Sequence, residues 1–164
     1  MSSSAGIIII GDEILSGRTK DTNINWIANE LNQMGINLKE ARVIEDDKKT
    51  IINTVLEFSK KFTYVFTSGG IGPTHDDITT ESIAAAFKVD LEKNKIAMNL
   101  LKKHYEKSNI DFNEARQKMA IIPKGALLID NPVSVAPGFN IRNVYVFAGI
   151  PKIMQSMFHS ISSN

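Results

Sequence analysis

The 164-residue chain carries 19 Lys and Arg against 18 Asp and Glu, a formal net charge of +1, and is 43% hydrophobic and 23% charged. This is the size of one domain and the composition of an ordinary globular protein, without the basic stripe that nucleic-acid binding requires. The absence of cysteine excludes disulfides, thiolate metal sites and cysteine nucleophiles, and no apolar run approaches the roughly 20 residues that span a bilayer. A soluble, cytoplasmic protein with neither nucleic-acid nor membrane partners is expected.

In chain order, the four isoleucines of residues 7–10 form an apolar run ended by Gly11, the pattern of a central strand covered on both faces. The preceding residues lack the basic flank of a signal peptide. After a polar loop, Asp21, Thr22 or Asn23 can cap a helix in which Ile24, Ile27, Leu31 and Met34 recur at helical spacing, with Gly35 placed to end it. A second strand covers residues 37–44. Asp46 or Asp47 can cap the next helix, whose apolar positions are Ile51, Ile52, Val55, Leu56 and Phe58, and residues 62–67 form the third strand. Strand and helix alternating in this way predict a parallel sheet with right-handed crossovers and helices on both faces.

Farther on, helices are expected over residues 79–87, 93–107 and 113–120, the last stopped by Pro123 and Gly125. A short strand follows at 126–129, then an ordered loop or edge segment at 131–138. Residues 144–147 read as a strand and 150–161 as a final amphipathic helix with Pro151 in its first turn.

Two glycine-containing loops follow strands one and three, at the carboxyl edge where open parallel sheets bind ligands. The first runs from Gly11 through Asp12, Gly17 and Arg18 to Asp21. The second reads Ser68-Gly69-Gly70-Ile71-Gly72-Pro73-Thr74-His75-Asp76-Asp77. Its glycines leave backbone amides open to an anion, or merely turn a strand into a helix. It is neither a Walker loop nor a Rossmann fingerprint, because the required spacings are absent. A phosphate about 4 Å from one carboxylate is repelled by about 4 kcal/mol at an effective dielectric of about 20, and a divalent cation reverses that sign. Of Asp76 and Asp77, one is expected to cap the helix beginning near Thr79 and the other to hold magnesium or another divalent metal. His75 is either a phosphate donor or a solvated turn residue. Arg18 and Lys20 are the cations of the first loop, available to phosphate or simply solvated.

The two loops, together with Asp21-Thr22-Asn23, Ala136-Pro137-Gly138-Phe139 and Gly149-Ile150-Pro151, resemble the molybdopterin-binding domain family. Within it, the chain is most similar to the branch of the competence/damage-inducible CinA N-terminal domain and of the N-terminal domain of eukaryotic FAD synthases. Asp76 stands where molybdopterin enzymes commonly carry arginine, which favours the CinA-like branch. Ser134, Val135 and Ile153 depart from residues common there.

The resemblance implies a three-layer α/β/α sandwich with a mostly parallel sheet, and one domain over residues 1–164, a chain shorter than the proteins it resembles. It implies a site for a small phosphate-bearing nucleotide or pterin, built from Gly11, Asp12, Gly17, Ser68, Gly69, Gly70, Gly72, Thr74, His75, Pro137 and Gly138. Asp77 and Asp76 are its catalytic candidates, and Asp77, Asp76 and Asp12 its metal candidates. Two activities are open: metal-dependent pyrophosphatase action on ADP-ribose or FAD-like dinucleotides, and non-catalytic binding of molybdopterin or its adenylate. A homo-oligomer is the expected assembly.

Overall fold

The computed structural model describes residues 3–162. Strand β1 (Ser4–Ile10) pairs in parallel with β2 (Asn37–Ile44) on one side and β3 (Tyr64–Ser68) on the other. β3 in turn pairs in parallel with β8 (Val144–Phe147), and the antiparallel strands β7 (Gly138–Ile141) and β6 (Leu127–Ile129) complete a six-stranded sheet of order β2-β1-β3-β8-β7-β6. The strand expected at the centre, residues 7–10, is interior, as are β3 and β8. This is the mostly parallel α/β architecture that the pattern predicts.

The chain first crosses from β1 to β2 through α2 (Asn23–Gln33), then reverses across the sheet to β3 through α3 (Lys48–Lys61). Right-handed crossovers in opposite directions must lie on opposite faces. Accordingly, Ile27 and Leu31 of α2 pack with Met154, Met157 and Phe158 of α7 (Pro151–Ser162) against Ile7 and Ile9. Ile51, Val55 and Phe58 of α3 pack with Ile83 of α4 (Thr79–Ala86) against Ile8 and Ile10. Strand alternation sends neighbouring isoleucines to opposite layers, which is why β1 is apolar at every one of those positions. Trp26 lies at the core edge, its ring edge-on to Phe158 at 5.5 Å.

Several short elements were not legible. A single turn, α1 (Asp12–Leu15), lies within the first loop. Strands β4 (Leu91–Lys93) and β5 (Ile121–Pro123) form a separate antiparallel ribbon beside α5 (Lys95–Lys107). The helix expected over 113–120 divides into α6 (Glu114–Gln117) and a 3-10 turn (Lys118–Ala120). Three- and four-residue strands are too short to show a period, and pairing rather than propensity forms them.

Candidate functional site

All four parallel strands end at one edge of the sheet, and the chain reverses direction between β1 and β3, so the loops after these strands flank the switch point. Gly69 makes the approach possible: with φ +109, any Cβ there would lie 2.2 Å from the carbonyl oxygen of Ile10. Gly70, at φ +77, lies over Thr79, whose Oγ1 would be 2.0 Å from an added Cβ. Thr79 N donates to Gly70 O at 3.0 Å. These two glycines are required by the fold before any ligand is considered.

The first cleft, about 360 Å³, is acidic and lies between the two loops; Asp12, Asp46, Asp76 and Asp77 line it together with Arg18 and Thr74. Asp12 and Asp46 exchange hydrogen bonds: Asp12 N donates to Asp46 Oδ2 at 3.1 Å, and Asp46 N to Asp12 Oδ1 at 3.0 Å. This clasp joins the turns that follow β1 and β2. Burial pushes the Asp46 carboxyl above its ordinary range against the bond from the Asp12 amide, and the charges of Asp12, Glu13 and Asp77 push it the same way.

Asp77 faces the cleft from the opposite loop. Its Oδ2 accepts from Thr74 N at 2.9 Å and from Thr74 Oγ1 at 2.8 Å. Lys118 supports this loop from behind, its Nζ donating to the carbonyls of Thr74 and Asp77, the latter at 2.6 Å. Neither aspartate caps α4, contrary to expectation: the N-cap is Ile78 and has no side-chain bond. The Asp77 carboxylate folds back on its own loop instead, and the Thr79 amide is satisfied by Gly70 O. Asp76 lies on the rim, 79% exposed and 3.4 Å from His75 Nε2, itself 93% exposed.

Among the remaining candidates, Gly11 and Gly17 flank the α1 turn, and Gly17 adopts φ +83. The Ser68 hydroxyl is engaged within the protein, accepting from Asn23 Nδ2 at 2.9 Å and donating to Ala148 O. The same Asn23 amide donates to Gly149 O at 2.9 Å, tying α2 to the ends of β3 and β8. Lys20 lines a small recess beside Asn23 and Ser68, away from Arg18. Gly138 opens β7, where an added Cβ would be 2.3 Å from Val146 O. Pro137 lines a second, apolar cleft of about 230 Å³ that meets the first at Asp77.

Sequence reasoning missed Asp46, Lys118 and the structural role of Asn23. One signal for Asp46 was present. Of the adjacent pair Asp46-Asp47 only one is needed at the cap, and Asp47 takes that place by accepting from Thr50 N at 3.0 Å.

Among the described residues no three His, Asp or Glu side chains form a ready-made metal cluster. The acidic cleft nevertheless offers only hard oxygen donors, the set magnesium uses when one or two carboxylates share it with ligand phosphates. Charge crowding around Asp46 is the kind of repulsion a cation relieves.

Residues 6–163 match the family model described as "Probable molybdopterin binding domain". A protein from Sulfurisphaera tokodaii is 38% identical over 161 residues, covering 95% of this chain, and one from Metallosphaera sedula is 35% identical over 162 residues. The chain spans 61% of the length of each of these curated relatives. The crystal structure of the protein CinA with unknown function, from Thermoplasma acidophilum, superposes with a TM-score of 0.90 at 34% identity, over 99% of this chain and 97% of that one. The molybdopterin biosynthesis enzyme MoaB from Thermus thermophilus shares the fold with a TM-score of 0.65 at 14% identity, over 98% of this chain and 90% of that one. Among the described residues no helix is long and apolar enough to cross a membrane. With the switch-point site and a match along nearly its whole length, the chain belongs to the molybdopterin-binding domain family, in its CinA-like branch.

Proposed function

We propose that the acidic cleft binds the phosphates of a dinucleotide together with a divalent cation and hydrolyses the pyrophosphate bond, with ADP-ribose or an FAD-like molecule as substrate. The carrying observation is the convergence of Asp12, Asp46 and Asp77 with Arg18 on one cleft at the switch point. Without a cation, those carboxylates would repel the phosphates they face. Asp77, with Asp12 or Asp76, would hold the metal, and a bound divalent ion would polarise the phosphoryl oxygens and lower the pKa of a bound water.

Asp46 keeps Asp12 oriented, Thr74 and Lys118 keep Asp77 in place, and the amide of Gly70 with Arg18 receives phosphate oxygens, whereas Gly72, expected from the sequence to share that role, lines the apolar cleft. Water adds to one phosphorus, the bridging P–O bond breaks, and ADP-ribose yields AMP and ribose 5-phosphate. Incubation with ADP-ribose or FAD and magnesium, manganese or cobalt, followed by chromatography, should show metal-dependent AMP. Absence of AMP with every pairing would reject the hydrolase.

The family match favours a second reading, a non-catalytic module for molybdopterin or its adenylate, which needs the same loops but no attacking water. A homo-oligomer is the proposed assembly, to be read from light scattering.

A further inference from the structure

The two edges of the central sheet differ. At one, β6 is three residues long, the short edge by which natural sheets avoid pairing with other chains. At the other, β2 is eight residues long, the longest strand of the sheet, and Asn37–Ile44 contains neither proline nor glycine. An edge of that length is a template for a further strand. Its register with β1 slips once, at Lys39, and is regular from Glu40 to Ile44. Ile44 O accepts from Gly11 N at 3.0 Å, so Ile44 turns its peptide groups towards the end of β1. Alternation along the strand turns those of Arg42 the same way and those of Ala41 and Val43 outward. Among the described residues nothing hydrogen-bonds to these outward groups.

The side chains along this edge carry a charge pattern that complements itself. Ala41 is small and exposed, with Glu40 and Arg42 on either side of it. Both charges are fixed on the face towards α3: Arg42 pairs with Glu40 at 2.6 Å and with Glu57 at 2.7 Å, and Lys61 pairs with Glu40 at 2.8 Å. The Arg42 guanidinium also lies over the Phe58 ring, 4.9 Å from its centroid. Two copies of β2 set antiparallel about a two-fold axis through Ala41 bring Ala41 opposite itself and Glu40 opposite Arg42, twice. Opposite charges directly across a pair of strands stabilise it, and like charges destabilise it. An axis through Glu40 or through Arg42 sets like charges face to face, so the pattern selects the register centred on Ala41.

Resting on the homo-oligomer proposed above, we infer that the outer edge of β2 is the interface with a second copy of this chain, the two strands pairing antiparallel about Ala41 and joining the two sheets into one. The contact is isologous and closes on itself. Ala41 N–H donates to Ala41 O of the second copy and the reverse, and each Glu40 faces Arg42 of the other copy. Because the paired strands run in opposite directions, the two acidic clefts open at opposite ends of the joined sheet.

The chain has no cysteine, so Ala41→Cys introduces a single thiol at the axis. Directly opposed residues of a hydrogen-bonded antiparallel pair have Cα atoms about 5.5 Å apart, within the roughly 4.4–6.8 Å that a disulfide spans. Under mild oxidation Ala41→Cys should cross-link to a dimer far more completely than Leu127→Cys, placed on the exposed start of the other edge strand. Light scattering of the unmodified chain should give twice the chain mass. Ala41→Pro removes an N–H that only the second copy uses, at an edge position where proline is tolerated, and should weaken the dimer at least about tenfold on dilution. An oligomer that persists undiminished in Ala41→Pro, with Ala41→Cys cross-linking no better than Leu127→Cys, overturns the β2 interface and leaves the homo-oligomer standing. A monomer at every concentration overturns both. Should Ala41→Pro fail to fold, the cross-linking comparison decides alone.

Discussion

Asp77 has two separable properties, an oxygen that accepts from Thr74 and a negative charge facing the acidic cleft. Asp77→Asn retains an acceptor oxygen and loses the charge. The melting temperature should therefore change little, while metal-dependent turnover falls at least about tenfold, equivalent to roughly 1.4 kcal/mol of barrier. Full activity in this variant, assayed by AMP release, would remove Asp77 from the metal site. Asp46 makes a prediction of opposite kind. Its folded-state carboxyl titrates above the ordinary aspartate value of about 3.9 because of burial and its acidic neighbours. Between those two values the folded chain holds more protons than the unfolded chain, so this residue's contribution to stability falls as pH rises through that window. Asp46→Asn should flatten that fall, with urea midpoints of variant and wild type diverging in the variant's favour as the pH rises from about 4. Parallel midpoint curves would show that Asp46 carries no such penalty.

At the scale of elements, the glycine-rich loop is held from three directions: by Gly69 against β1, by Asp77 within itself, and by Lys118 from the 3-10 turn. The Lys118 bond to Asp77 reaches across 41 residues of sequence. Lys118→Met keeps the stem that lines the apolar cleft and removes both bonds to the loop carbonyls. Amide hydrogen exchange over residues 74–77 should then accelerate by about tenfold or more, given a net loss of roughly 1–3 kcal/mol for bonds to a charged donor, while β1 and β3 remain protected. Unchanged loop exchange would mean that the loop is held by Asp77 and the glycines alone. The elements themselves differ in how plainly the sequence announces them. The strand at residues 37–44 and that at 144–147 were readable to the residue, because clear signals bound each of them, Gly35 and Asp46 around the first and Asn143 and Gly149 around the second. The ribbon β4–β5 was not, because Leu91–Lys93 is exposed throughout and exists only through its pairing with Ile121–Pro123.

For the molecule as a whole, hydrolase and binding module differ in which ligand stabilises the fold. A ligand at 100 times its Kd adds about 2.7 kcal/mol to stability, and for a chain of this size each kcal/mol raises the melting temperature by roughly 2–4 °C. A binding module should show a rise of that order, about 5–10 °C, with molybdopterin and none with FAD. A rise with FAD and divalent metal, and none with molybdopterin, would reject the module in favour of the dinucleotide reading.

The layered parallel architecture and the two loops could be read from the residues in order. Isoleucine at successive positions of β1 admits only a strand buried on both faces, and right-handed crossovers then distribute the helices. Glycines before a helix also marked the edge at which the acidic cleft opens. Which groups meet at that edge depends on how the chain packs. Asp12 and Asp46 are 34 residues apart and join only because β1 and β2 are parallel neighbours ending at one edge. The expected cap at Asp76 or Asp77 failed for a related reason: a carboxylate takes whichever donors the folded loop places nearest, and those are the amide and hydroxyl of Thr74. Likewise the apolar cleft is lined from separate segments, each too short or too irregular to announce it before the sheet and the β4–β5 ribbon bring them together.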